Sequence, residues 1–583
     1  MDNKYVWKVE DIYENDLAWE KDFERVKGVD FFLDFKGKLG DKNSLIEFFK
    51  KDEEISRTRE KLSVYAMMNH DKDTRNSVYD RMVSKISSLC SEISAKSSFV
   101  VPELTALSED KLKEFIFDDD LSDYSYFFKG ILRRKNHVLT EKEEKLLALN
   151  SEVTSSFKEI FTKIDNADLP LTTFTYKGEK YELTHGTYSV LLHGEDRKLR
   201  KKAYTEYYKA YISLMNTISS TYYGSVKKDV FYAKARNYNS SLEMALSSED
   251  VPKTVYDNLI SSVHEALPLL HKYIKEKKKA LKLKKMYMYD MYCPMVEDAE
   301  IKLSYEDAYK LVIDGLSVLG EDYVNLLKKA YNERWIDVYE SAGKRSGAYS
   351  IAVYDTHPFV LLNYQKTTHD VFTIAHEMGH SIHSYFSNKT QPYATADYKI
   401  FVAEVASTVN EVLLIKHLLK VTTDKKVKKY LLSYLLEMIR TTLFRQTQFA
   451  EFEAYSHGSV ERGEPLTKDG MSDFYLSLNK KYYGKAVESD EIIKYEWARI
   501  PHFYRAFYVY KYATGITSAL SIAERILTEG DSAIKDYFKF LSSGGSDAPN
   551  ELLKIAGVDL TKKSTFDRAF KVFKDAIEEF CKL

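Results

Sequence analysis

Cysteine is scarce: Cys90, Cys293 and Cys581 are all there are in 583 residues, too widely spaced for a disulfide framework or a thiolate zinc site. Proline is also scarce, at 10, which favours long uninterrupted helices. No apolar run approaches the roughly 18 residues that a membrane span needs. The opening, MDNKYVWKVEDIYENDLAWEKDFERV, is charged throughout and has no apolar centre of the kind a secretory leader carries. Neither sign of charge prevails, since 86 Lys and Arg face 88 Asp and Glu. That balance argues against a nucleic-acid or membrane-surface partner. A cytoplasmic protein is the expectation. No internal repeat or low-complexity linker is present.

Hydrophobic residues make up 44% of the chain, enough for a large core, and tyrosine is abundant at 45. At this length two or three modules, or one two-lobed body, are expected. Helical periodicity runs through 17–26, 44–69 and 77–97, with a short element after Pro102. An acidic, aromatic stretch centred on FDDDLSDYSYFF follows, then another helix over 141–165. PLTTFTYKGEKYEL, 170–183, is rich in β-formers with Lys177-Gly178 as a hairpin turn. Helical pattern resumes near Arg197 and continues to about Lys285, interrupted near Asn237 and Pro252; the lysines of 272–285 read as a solvated face. Between Ile336 and Tyr364 apolar and polar residues alternate, with glycines at 343 and 347, as in a small sheet. Such a sheet either offers an edge to an extended peptide or merely packs on the next helix.

That next helix carries the chemistry. TTHDVFTIAHEMGHSIHSYFSN, 367–388, opens on a T-x-x-D capping pattern, and Asn388 is a candidate left-handed stop. His376 and His380 are one turn apart on one side, so both imidazoles can reach one Zn²⁺ at about 2.0–2.1 Å. Glu377 is rotated by about 100°, where it can serve as general base without joining the coordination sphere. His383 is excluded as third ligand, because seven residues span about 10 Å of helix; packing or support is its expected role. Six residues after His380, where a metzincin has its third histidine, stands Phe386. The better third ligand is Glu404 on the following helix, FVAEVASTVNEVLLIK (401–416), with Glu411 on the same side as a candidate orienter of an imidazole. Phe401, Val405, Val409 and Leu413 form a separate apolar row.

HEMGH followed by FVAEVASTVNE resembles the thimet oligopeptidase/oligoendopeptidase F family of zinc metallopeptidases. GAYS before the helix and HFYRAFYVYKYATG (502–515) fit as well. VWKVEDIYENDLAWEKDF, LTHGTYSVLL and RKKAYTEYYKAY are similar to the oligoendopeptidase F branch, so the resemblance spans nearly the whole chain. It implies a mainly α, two-lobed body with a deep central channel and one Zn²⁺ on the channel floor. It also implies cleavage of internal bonds in short, unfolded peptides. The family's carbonyl-binding His and Tyr map onto His502 with Tyr508, Tyr510 and Tyr512. The loop after His502 is shorter than in thimet oligopeptidase and lacks its paired glycines. Tyr508 and Tyr512 are expected on one helix face and Tyr510 on another, so not all three can act.

The domain expectation is an N-terminal helical region to residue 110, a connecting module with a short β segment over 111–185, and a catalytic zinc peptidase domain over 197–583. The expected reaction is attack of a zinc-activated water on a peptide carbonyl, with Glu377 taking the proton and passing it to the leaving amine. Two alternatives stand beside it: a zinc carboxypeptidase on a similar helical scaffold, and a non-catalytic peptide-binding protein.

Overall fold

The computed structural model describes residues 3–296 and 302–583. It is mainly helical, with one two-stranded and one three-stranded sheet. Among the described residues no helix is long and apolar enough to cross a membrane. The chain divides into two compact units, each drawn from three separate stretches.

The first unit comprises Met1–Asn136, Glu300–Lys420 and Ile522–Asp559. Its N-terminal helices start where short polar side chains cap them: Asn15 before Asp16–Lys27, Asp41 before Lys42–Lys72 and Asn76 before Ser77–Lys96. Pro102 lies in the first turn of Val100–Ala106, where its missing N–H is harmless. In the 117–128 stretch Phe128 is buried and Tyr124 stacks on Phe49 at 3.9 Å, while Phe117 stays exposed. Trp19, Phe48, Leu62 and Phe128 build a core that also takes Val353, Phe359 and Leu361 from the small sheet.

That sheet has β3 (Ile336–Asp337) parallel and β4 (Tyr349–Ile351) antiparallel to the central β5 (Phe359–Leu361). Both outer strands are edges. Gly343, at φ +86, shapes the turn between β3 and β4, and a Cβ there would lie 2.2 Å from Asp73 Oδ1, so only glycine fits. Asp71 secures the same turn by accepting from Tyr349 Oη (2.8 Å) and Arg345 NH1 (3.2 Å).

The second unit comprises His137–Ala299, Val421–Ser521 and Leu560–Leu583. Its hairpin pairs β1 (Thr173–Tyr176) with β2 (Glu179–Glu182). Lys177 at φ +50 and Gly178 at φ +86 make the two-residue turn, the mirror-image geometry that suits strand twist. The helices break at Asn237, φ +59, resume over Ser241–Glu249, and start again after Pro252 with Lys253–Ala280. The solvated reading of 272–285 needs correction at one place. Lys277 is buried, with its Nζ 2.9 Å from Glu437 Oε1, and Glu437 also binds Arg440 at 2.7 Å. The partner that makes this burial tolerable lies 160 residues away.

Candidate metal centre

Helix Thr368–Thr390 starts on a full capping box: Asp370 N donates to Thr367 Oγ1 (3.2 Å) and Thr367 N to Asp370 Oδ2 (2.8 Å). It runs past Asn388, which is helical, and stops before Pro392, the residue that cannot continue it. Val371, Ile374, Ala375, Met378 and Ile382 are buried, so the histidines occupy the opposite side.

Helix Ile400–Val421 lies against it, and the small residues of 403–408 are what let it approach. A Cβ on Gly379 would stand 2.5 Å from Ser407 Cα and 2.8 Å from the Ala406 carbonyl oxygen, so the helices meet backbone to backbone there. Asn410 then ties them: its Nδ2 donates to the Ala375 carbonyl (3.0 Å), and its Oδ1 accepts from Tyr323 Oη (2.8 Å). All three are buried from water, so these bonds are not exchanged for solvent. Phe401, Val405, Val409 and Leu413 fill the core side.

This close packing delivers Glu404. His376 Nε2 and His380 Nε2 are 3.2 Å apart, and Glu404 Oε2 is 3.3 Å from the first and 3.5 Å from the second. Three ligands on a tetrahedral ion at about 2.0–2.1 Å stand about 3.3–3.4 Å from one another, so the donor set fits a zinc-sized ion without rearrangement. Among the described residues these are the metal-ligating side chains close enough to share one ion. His376 Nδ1 donates to Glu411 Oε1, which leaves the Nε2 lone pair facing the other two ligands.

The electrostatics agree. Burial alone would lower the His376 pKa, but bonds to Glu404 and Glu411 outweigh it and raise it to about 10. Burial opposes ionisation of Glu404 too, yet the two histidines hold its carboxyl well below the ordinary range. A site that grips a proton between acids in this way is one where a divalent cation can displace the proton. Glu377 is 7% exposed and faces the same cavity of about 890 Å³, and burial raises its pKa. That cavity is lined on one side by β4 and its neighbours, Ala348 to Ala352. Ser350 Oγ meets Ser381 Oγ at 2.8 Å and joins strand to helix.

His383 is not part of the cluster. It is buried, stacked on Tyr398 at 3.8 Å, and burial pushes its pKa down to about 3, so it stays neutral. Phe386 packs edge-on to Phe538. Several cavity residues escaped the sequence reading, Tyr398, Asp397 and Glu60 among them. Tyr398, hydrogen-bonded to Ser384 (2.8 Å), and Asp397 lie just ahead of the Glu404 helix, where proximity was the only signal. Glu60, whose pKa burial pushes up to about 7, comes from a helix more than 300 residues earlier, and nothing local marks it.

In the second unit His502, Tyr508 and Tyr512 come together. The Tyr512 hydroxyl is 3.4 Å from His502 Nε2, and the Tyr508 ring lies 6.2 Å from His502 and 5.4 Å from Tyr512. Tyr508 precedes the helix, which begins at Tyr510, so the two tyrosines meet without sharing a helix face. Tyr510 must be withdrawn from the catalytic group. It is 1% exposed and edge-on to Tyr256 at 5.4 Å, and burial holds its phenol far above the ordinary range.

Comparison with known proteins agrees with this geometry. The family described as Peptidase family M3 matches residues 190–572, and that described as Oligopeptidase F matches residues 103–170. Oligopeptidase PepF of Bacillus subtilis (strain 168) is 42% identical over 577 residues, which cover 98% of this chain and 86% of that protein. A solved peptidase structure from Chlamydophila abortus superposes with a TM-score of 0.96 at 38% identity, covering 100% of this chain and 98% of the other. Oligoendopeptidase-F from Enterococcus faecium gives a TM-score of 0.73 at 34% identity, with 98% of each chain covered. Matched over this length and at this identity, the chain belongs to peptidase family M3, in its oligopeptidase F branch, and is a metallopeptidase.

Proposed function

We propose that this chain is a zinc-dependent endopeptidase that hydrolyses internal bonds of short oligopeptides. The observation that carries the reading is the trio His376, His380 and Glu404, whose ligand atoms stand 3.2 to 3.5 Å apart beside a cavity that also holds Glu377. The names of the relatives, oligopeptidase and oligoendopeptidase, supply the substrate class.

His376, His380 and Glu404 would hold the ion, with Glu411 fixing the tautomer and orientation of His376. When bound, the ion supplies Lewis acidity, which acidifies water and polarises a carbonyl. Glu377 takes a proton from the attacking water as its oxygen adds to the scissile carbonyl carbon. It then gives that proton to the amide nitrogen as the C–N bond breaks, so carboxyl and amine products leave and the carboxylate is regenerated. Burial raises the proton affinity of Glu377, which suits a group that must accept and return one. The edge of β4 can hold an extended peptide through main-chain hydrogen bonds. The resemblance assigns His502 with Tyr508 or Tyr512 to donate to the oxygen of the scissile carbonyl as charge builds on it.

The test is an internally quenched peptide blocked at both ends, assayed with and without chelator, alongside product mapping and metal analysis. Internal cleavage, one zinc per chain and a fall of about 10²–10⁴ in kcat for Glu377→Gln with zinc retained are expected. Cleavage only of peptides with a free carboxylate would move the assignment to a carboxypeptidase. Parental activity in Glu377→Gln would remove the mechanism.

A further inference from the structure

Phe507 stands at φ +51, a left-handed conformation that is uncommon for a bulky residue. It falls in the short connection between His502 and the helix that starts at Tyr510, immediately before Tyr508. The turn sends the Phe507 ring inward, 2% exposed, where it contacts His457 at 4.5 Å, while the next residue emerges beside His502.

The Phe507 amide has a specific anchor. It donates to Glu453 Oε1 at 2.9 Å, from the connection to the middle of helix Arg445–Glu461. Glu453 is 0% exposed and has no cation against it among the described residues. The groups that face it are Asp229, Tyr222 and Tyr256, with His457, whose Nδ1 donates to the Glu453 carbonyl and whose Nε2 approaches Asp229 at 3.3 Å. Burial, with Asp229 nearby, pushes the pKa of the carboxyl well above the ordinary carboxylate range. Its other oxygen has no hydrogen-bond partner among the described residues. A buried acid is costly, and the single bond its side chain makes goes to the strained residue.

The geometry points to Glu453 as a positioning residue: it pins the Phe507 amide in the left-handed turn and so sets where His502, Tyr508 and Tyr512 stand for the scissile carbonyl. This rests on the reading of those three as the carbonyl-binding group. Glutamine keeps an acceptor at the same reach, aspartate withdraws it by one methylene, and leucine removes it.

The experiment measures kcat, KM and zinc content of Glu453→Gln, Glu453→Asp and Glu453→Leu on the blocked quenched peptide. Asp and Leu are expected to lower kcat by about 10²-fold, the scale of a misplaced catalytic group, with KM and zinc little changed. Gln is expected to restore most of kcat. In a Tyr508→Phe background, Leu is expected to cost little more, because it acts through the group already impaired. If Glu453→Leu does not fold, Glu453→Asp decides, since it keeps a buried carboxyl. Parental kcat in Asp or Leu, a loss in Gln equal to that in Leu, or a full further loss in the Tyr508→Phe background would each overturn the proposal. Parental kcat in His502→Ala, Tyr508→Phe and Tyr512→Phe would instead remove the carbonyl-binding reading, and with it any role for Glu453 through that group.

Discussion

Glu411 shows how much one side chain can govern at a site it does not enter. By accepting from His376 Nδ1 it selects the tautomer whose Nε2 faces Glu404 and His380. Glu411→Gln is expected to weaken metal affinity about 10–100-fold while leaving the fold intact, as read by competition with a chelator of known affinity. His383 gives a second prediction, in acid. Its pKa is about 3 when folded against 6.5 when exposed, chiefly through burial and then through His380. The unfolded chain therefore binds more protons between these values. The stabilisation is complete above pH 6.5 and is lost as pH falls through that window, at up to about 1.4 kcal/mol per unit. His383→Phe removes the titrating group, so the unfolding free energy of variant minus parent should rise in the variant's favour from pH 7 to pH 5. A flat difference would mean that the ring takes up its proton at the same pH folded as unfolded.

Among the elements, the pair of helices at the metal centre carries the most consequence. Their contact at Gly379 admits no Cβ, since backbone atoms stand 2.5–2.8 Å from where it would be. Gly379→Ala should cost about 1–3 kcal/mol of stability by forcing the helices apart. It should also reduce bound metal, because Glu404 rides on the displaced helix; unfolding titration and metal analysis read the two effects separately. Most elements were legible beforehand. The capping box at Thr367, the Lys177-Gly178 turn and the breaks at Asn237 and Pro252 are local signals that nothing distant opposes. The misreadings have distant causes or a competing local one. Asn388 gave way to Pro392 as the stop, Lys277 is buried because Glu437 meets it, and the left-handed turn at Phe507 delays the helix after His502 until Tyr510.

For the molecule as a whole, metal and fold should be coupled only modestly. The helices of the first unit have a core of their own, from Trp19 through Leu361, so removing the ion should abolish peptide hydrolysis without unfolding the chain. Chelation is expected to lower the unfolding free energy by about 2.7 kcal/mol relative to protein with free zinc at a hundredfold its Kd, with helical circular dichroism unchanged and activity restored by zinc. Loss of helix on chelation would mean that the ion helps build the unit. Each unit gathers three distant stretches of chain, an arrangement that no local pattern announces.

Residue order was enough to place His376, Glu377 and His380 correctly relative to one another, because a helix advances by a constant 1.5 Å and 100° per residue whatever surrounds it. It was also enough to nominate Glu404 and Glu411 as one face of the next helix. It could not give the 3.3–3.5 Å that separates Glu404 from the histidines, the entry of Glu60 into the same cavity, or the hold of Glu453 on Phe507. Those distances arise from packing between segments far apart in the chain, where side-chain volume and backbone approach, rather than helical repeat, determine which atoms meet.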